Sequence, residues 1–514
     1  MKKVFISLSI SLLFVINSVW SQDKEPPLQY PFEETGVEMP RGVYGTDDRK
    51  EVKDANGIAD FVRATAVMIN KKDIVGNRVY GYTLRELLKF RFKSSNFDDN
   101  IKFLDQPTSA MCTGFLIAPD ILATAGHCIK ELKDAKDFVW VFDYTNELKY
   151  NKAFKYIEID PKNVYEVTEV IRAKLDDRTV DDYSFLRLNR KSERAPYRFR
   201  TSGKVGLYSK VNTIGSPTGL PLKYADNAKV VDDSKPTWFK NSIDTFPGNS
   251  GGPVFNTNGF IEGIHVRGAV TQGQNGTFTG DYKYDEVCDC IKTVEFYSAY
   301  FTAGAQAHRI TSVPYDILHR AIYENIEYAI KNNLKGRLRS WLIYSWMVDH
   351  AYTKKRGRLE LIAAKYNNLE ALKQIISKSK KDNIDVYGES LINQAINNSN
   401  IAMLSYLLGL DIPYNANSSK ASSLMVKAFK NGNYDMVYTM LDNGWNVNAT
   451  DYSGNNLLHI AASKGDMSLL RKIVSKGVSA GAKNKDGKRP EHIAKKYKNK
   501  AAQKYLKKIR KQQK

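Results

Sequence analysis

Thr124-Ala-Gly-His127-Cys128 and the later segment Gly248-Asn-Ser250-Gly-Gly-Pro253 decide how this chain is read. A serine hydroxyl is a poor nucleophile until an adjacent imidazole accepts its proton, so a histidine and a serine in paired motifs carry the chemistry. The imidazole in turn needs a carboxylate to hold its tautomer and stabilise its protonated form. Asp176, Asp177, Asp181 and Asp182, which lie between the two motifs, are the candidates; Asp182 opens the apolar run Asp182-Tyr-Ser-Phe-Leu-Arg-Leu188, and any of them could instead cap a turn. Glycines around the serine let backbone amides face a developing oxyanion, and Gly248 and Ser250 are the expected donors. The same glycines would also suit an ordinary tight turn.

Working outward, Cys112 and Cys128 bracket two apolar runs, Phe115 to Ala118 and Ile121 to Ala125, separated by Pro119-Asp120. This reads as strand, turn, strand. A disulfide between the two cysteines would close a loop of about 15 residues, worth roughly 3 kcal/mol, and would hold His127 at the hairpin's end. Cys288 and Cys290, in Glu-Val-Cys-Asp-Cys, admit a strained loop disulfide, two free thiols or a metal site, and the sequence does not choose.

Both segments resemble trypsin-like serine proteases, the first around the catalytic histidine and the second around the nucleophile. The resemblance implies a chymotrypsin-like double β-barrel, a serine endopeptidase acting through an acyl-enzyme, a protein or peptide substrate, and no cofactor or metal. It also implies that the run opened by Asp182 is the carboxylate's strand, which makes Asp182 the partner of His127 and leaves Asp176, Asp177 and Asp181 to cap turns. Within the class, Val43-Tyr-Gly-Thr-Asp-Asp-Arg-Lys-Glu-Val52 and Gly263-Ile-His-Val-Arg-Gly268 resemble the bacterial glutamyl endopeptidases, over roughly residues 42 to 300. Val266-Arg267 departs from that branch, which usually has an aromatic and a glycine there. What the branch implies is a preference for Glu or Asp before the cleaved bond, with Thr245 and His265 as pocket donors. Strand alternation would add Arg267 to the face of His265. His265 read as a packed strand residue and Thr245 as a turn residue is the plain alternative.

The first residues set the compartment. Lys2 and Lys3 precede the apolar run from Val4 to Trp20, which ends in small residues near Ser21 and carries Ser7, Ser9, Ser11 and Asn17 within it. That pattern predicts a signal peptide over 1-21, a following segment over 22-41 that could be a pro-segment, and a secreted or periplasmic protein. No later run is apolar and long enough to span a bilayer.

Beyond about residue 310 the patterning changes from short alternating runs to helical spacing. Ile317, Leu318, Ala321, Ile322 and Ile326 mark one helix within a helical linker over 306-355, and a second is expected around Trp341 to Val348. Ala428, Ala461 and Ala494 then recur every 33 residues, as do Gly432 with Gly465 and Gly444 with Gly477. Thirty-three is the ankyrin period, and Asp451-Tyr-Ser-Gly454 with Leu457-Leu-His-Ile-Ala-Ala462 resembles that repeat. About five units are expected over 356-514, giving an all-α solenoid able to hold a protein partner. His459 and His492 would serve helix starts within it. The net charge of +21 is concentrated at the end, where residues 483-514 hold fourteen Lys and Arg against Asp486 and Glu491. Interleaved aromatics are scarce there, Tyr497 and Tyr505 apart, so the run reads as a basic cap rather than a nucleic-acid site. The competing function is an inactive protease-like scaffold that works only through its repeats; an intact triad favours the enzyme.

Overall fold

The computed structural model describes residues 43–55, 62–176, 178–268, 281–296, 304–344, 357–379 and 381–513. The expected signal peptide, the segment 22-41, Asp177 and Trp346 lie outside them. The chain divides into two compact units, one up to Val313 and one from Pro314. Among the described residues no helix is long and apolar enough to cross a membrane.

The first unit is built on two seven-stranded sheets. In chain order the strands are β1 (Lys50–Glu51), β2 (Thr65–Asn70), β3 (Ala110–Ala118), β4 (Ile121–Thr124), β5 (Phe138–Phe142), β6 (Val164–Tyr165), β7 (Val167–Asp176) and β8 (Asp181–Leu188). They continue with β9 (Lys210–Gly215), β10 (Lys223–Asp232), β11 (Trp238–Asn241), β12 (Pro253–Asn256), β13 (Ile261–Arg267) and β14 (Ala305–Arg309). The first sheet runs β6-β5-β2-β3-β4-β8-β7. Its two edge strands are separated in sequence by Glu166 alone, so the sheet must roll until its edges meet. The second runs β9-β12-β13-β14-β11-β10-β1, and a further β9–β10 pairing closes six of its strands into a ring. Closure leaves few unpaired strand edges. Apolar strands with both faces covered, such as β4 and the Thr113–Ala118 part of β3, supply the interior. A helix, α1 (Leu84–Phe92), starts at a Thr83–Glu86 capping box and buries Leu84, Leu87 and Leu88.

β14 corrects the expected boundary. Residues 306-309 are not helical linker: Gly263, Ile264 and His265 of β13 pair with Arg309, His308 and Ala307, and β11 pairs on the other side. The strand carries only five residues, and its place in the barrel is set by partners distant in sequence.

Among the described residues the second unit is built of helices. Helices α2 (Tyr315–Lys331) and α3 (Lys335–Trp341) lead. Five pairs follow: α4 (Leu359–Lys365) with α5 (Leu369–Ile376), α6 (Lys381–Asn397) with α7 (Ile401–Leu408), α8 (Ser419–Lys430) with α9 (Tyr434–Asp442), α10 (Leu457–Lys464) with α11 (Met467–Ser475), and α12 (Pro490–Lys496) with α13 (Lys500–Gln512). Of the helix expected around Trp341 to Val348, Trp341 ends α3 and Leu342–Tyr344 forms a 3-10 turn, while 345-348 lie outside the described residues. Side chains of Asn368, Asn400, Ser418, Asn456 and Asp466 cap helix starts by accepting a backbone N–H three residues on. His459 spans two elements, with Nδ1 2.7 Å from Asn456 Oδ1 and Nε2 3.0 Å from the carbonyl of Lys488. The last helix buries Ala502 and Leu506 and leaves a lysine-rich face to water, as a cap requires.

Candidate active site

β3 and β4 form an antiparallel pair, with Phe115 opposite Ala123, and the chain turns out of β4 directly into His127. Cys112 on β3 is bonded to Cys128, with 6.3 Å between their α carbons, so the turn cannot swing away. Gly126 makes the next contact possible. A Cβ there would lie 2.2 Å from the carbonyl oxygen of Lys174 on β7 and 3.1 Å from the amide of Tyr183 on β8. With only hydrogen at that position, the turn lies flat against β7 and β8 and His127 comes beside Asp182.

Asp182 is 1% exposed and accepts two bonds from one residue: the His127 amide at 3.0 Å and ring Nδ1 at 2.7 Å. Burial pushes its carboxyl up, but the His127 ring and amide outweigh burial and hold it below the usual carboxylate range. The two described rivals are occupied elsewhere. Asp181 takes Lys174 and the Thr179 hydroxyl, and Asp176 accepts the Arg178 amide in a turn.

The segment around Ser250 is stitched to both barrels. Ser250 O accepts from Thr113 N on β3 at 2.8 Å, and Thr113 Oγ1 donates to Gly248 O at 2.7 Å. On the other side, Gly251 N donates to His265 O at 2.7 Å, and His265 N to Gly252 O at 2.8 Å. The Cys128 sulfur lies 3.7 Å from Ser250 O, which brings the disulfide, the histidine turn and the serine segment together. Gly248 and Gly251 have φ of 92° and 84°, a region costly for other residues. Asn249 N, Gly251 N and Gly252 N each donate to a carbonyl. Among the described residues no hydrogen bond uses the amides of Gly248 or Ser250, the two expected oxyanion donors.

Thr245 is fully buried, and its hydroxyl has no hydrogen-bond partner among the described residues. His265 is 3% exposed on β13. Arg267 does not follow the expected alternation. A bulge lies between the two: His265 pairs with Ala307 and Arg267 with the next residue, Gln306, so the extra residue reverses the face. Arg267 instead contributes its positive charge to the field at Asp182. Cys288 and Cys290 are joined, which resolves the alternatives left by sequence. His127 and the sulfurs of Cys112 and Cys128 lie within 4.8 Å of one another, but the sulfurs are spent on each other. Sequence reasoning missed Asp244, a buried carboxylate next to Thr245. No local signal marks it, because its partners lie about two hundred residues away.

A trypsin-like peptidase domain model matches residues 112–264, and an ankyrin-repeat model matches residues 425–474. No curated protein matches the chain. Among solved structures, a Glu endopeptidase in complex with MPD is 15% identical, with 54% of this chain and 97% of that chain covered at a TM-score of 0.30. The ankyrin repeat domain of Bcl-3 is 18% identical, with 34% and 92% covered at a TM-score of 0.27. With a β-barrel unit followed by stacked helix pairs, and both models matching in that order, the chain carries a trypsin-like peptidase domain followed by ankyrin repeats.

Proposed function

We propose that the chain is an exported serine endopeptidase in which Ser250, His127 and Asp182 act as one unit. The observation that carries this is the doubly bonded pair of His127 and buried Asp182, set beside a serine segment whose Gly248 and Ser250 amides are uncommitted among the described residues. Ser250 Oγ attacks the peptide carbonyl while His127 Nε2 takes its proton, and Asp182 stabilises the imidazolium. The two amides bind the oxyanion; collapse releases the amine, protonated by His127, and leaves an acyl-enzyme. Water then reverses these roles. Export is supported by the basic and apolar amino terminus and by two disulfides, which persist in oxidising compartments.

A serine-directed phosphonylating probe should label the purified protein, and Ser250→Ala should remove the label and lower turnover by about 10⁴-fold or more. Labelling that survives the substitution would move the nucleophile elsewhere.

For specificity, the buried and unpartnered Thr245 hydroxyl supports an acidic residue, Glu or Asp, before the cleaved bond. A carboxylate loses its water on entering a pocket and needs donors in return; the Thr245 hydroxyl and a His265 ring N–H supply two. Matched peptides with Glu, Gln, Lys or Phe at that position should be cleaved fastest after Glu, and His265→Ala should remove the preference. Equal cleavage after Lys or Phe by the parent rejects the pocket. The ankyrin repeats are proposed to recruit a protein substrate or partner, since stacked repeats offer an extended concave surface.

A further inference from the structure

Residues 43 to 51 make an unusual set of attachments for so short a piece of chain. Val43–Tyr44 pairs in parallel with Glu295–Phe296, and β1 pairs with Lys223 and Tyr224 of β10. Between these anchors sit charged groups that are almost wholly buried. The Arg49 guanidinium, 2% exposed, makes two bonds to Asp47 at 2.7 and 2.9 Å. Lys102 Nζ donates to the carbonyls of Asp47 and Arg49, and Lys223, also 2% exposed, reaches Glu51 at 3.2 Å. Buried ion pairs return little net stability against an apolar filling of the same volume, so such a cluster is better explained by what it aligns than by what it stabilises.

What it aligns is the segment that ends in Ser250. Asp244 is 3% exposed, and each of its carboxylate oxygens accepts a backbone N–H: Oδ1 from Tyr44 and Oδ2 from Asp48, both at 2.8 Å. Arg49 lies 3.8 Å from the centroid of the Phe246 ring, while Phe246 O accepts Asn249 N at 3.2 Å. Val43 and Phe246 also share one apolar cluster with Leu84, Leu87, Leu88 and Tyr282. Residue 246 is therefore gripped at ring and carbonyl, residue 244 at its side chain, and the chain between them and Gly248 has little freedom left.

We propose that residues 43 to 51 are a strap that holds the Gly248 and Ser250 amides in their donating orientation, with Asp244 as the positioning residue that joins strap to segment. The proposal rests on the acyl-transfer reading above. It also gives Asp244 a task other than recognition: it is buried, and each of its oxygens already accepts a backbone N–H from the strap.

Asp244→Asn tests this, since the new NH₂ would face one of the two amide donors at nearly unchanged volume. Expected in the full chain are a fall of about 10²-fold in kcat and in phosphonylation rate, comparable to the loss of one oxyanion donor, with KM within about threefold. Hydrogen exchange at residues 248 to 252 should rise at least about tenfold while β4 amides stay as in the parent. Arg49→Lys, which keeps the charge but loses the flat stack on Phe246, should shift the same readouts in the same direction by less. A well-folded Asp244→Asn protein with parental kcat, or with unchanged exchange at 248 to 252, overturns the strap. A parent inert to both probe and peptide overturns the catalytic reading instead, and the exchange comparison then decides the strap by itself.

Discussion

Gly251 beside the candidate nucleophile and Gly477 in the last ankyrin repeats have nearly the same backbone, with φ of 84° and 82°. Their surroundings have nothing in common. A Cβ at Gly251 would lie 2.1 Å from Thr124 Oγ1, 2.2 Å from Thr113 O and 2.8 Å from Ala125 N, all in the other barrel. At Gly477 it would meet nothing within 4 Å. In the helical unit glycine answers a local demand, the left-handed residue that ends a helix, and that demand returns every 33 residues. In the barrel unit it answers a demand from strands more than a hundred residues away in sequence.

The comparison breaks first, if it breaks, at Gly251→Ala. Left-handed strain of about 1–3 kcal/mol adds to overpacking of about 1–3 kcal/mol against backbone atoms that cannot yield, so a loss of roughly 3–5 kcal/mol is expected in urea unfolding. Phosphonylation at Ser250 should be lost with it. A variant with parental stability would show that the two barrels do not meet at this glycine.

This difference also explains how much the sequence discloses. The helix pairs are legible because each is closed by residues within one period: Asn456 and His459, or Asp466 and Leu469, sit three apart. The His127 and Ser250 segments are legible as motifs, and Asp182 as the start of an apolar strand. What escapes is everything decided across the sheet. The bulge that turns Arg267 away from His265 depends on the register with β14. β14 is only five residues long and is placed by its partners on both sides, and Asp244 is explained only by Tyr44 and Asp48.

Two buried histidines sharpen the same contrast through pH. His308 on β14 is fully buried, with Nδ1 3.4 Å from Val180 O and 3.9 Å from Asp181, and Nε2 3.1 Å from Ser312 Oγ. Burial pushes its pKa down to about 4, against the pull of the Val180 carbonyl and of Asp181 and Asp182. Burial lowers His459 as well, in the helical unit. Because the folded pKa is depressed, the unfolded chain takes the proton first. Stability is therefore full above about pH 6.5 and falls as pH drops toward 4, by roughly 3 kcal/mol for His308. Urea unfolding of the first unit at pH 7 and pH 4.5 should show this loss, and His308→Gln should remove most of it. A pH dependence untouched by the substitution would assign the acid sensitivity to other groups.

The smallest effect tests the local half of the comparison within the repeats themselves. Gly465 and Gly477 are both left-handed, at φ 72° and 82°, so alanine at either pays the same backbone strain of about 1–2 kcal/mol. They differ in space. A Cβ at Gly465 would come within 2.7 Å of Asn499 Oδ1, and the Asn499 amide is not idle: its Nδ2 donates to the carbonyls of Ala462 at 2.9 Å and Ser463 at 3.2 Å, at the end of α10. Moving Asn499 aside gives up those bonds, worth about 1 kcal/mol beyond the strain. Gly465→Ala should therefore exceed Gly477→Ala by about that amount in denaturant unfolding of the repeats. If Asn499→Ala is made first, the excess should vanish, because the obstacle and the bonds it carried are gone together. Equal losses at the two glycines in the parent would mean that neighbouring repeats also leave room at Gly465, and that conformation alone selects glycine throughout this unit.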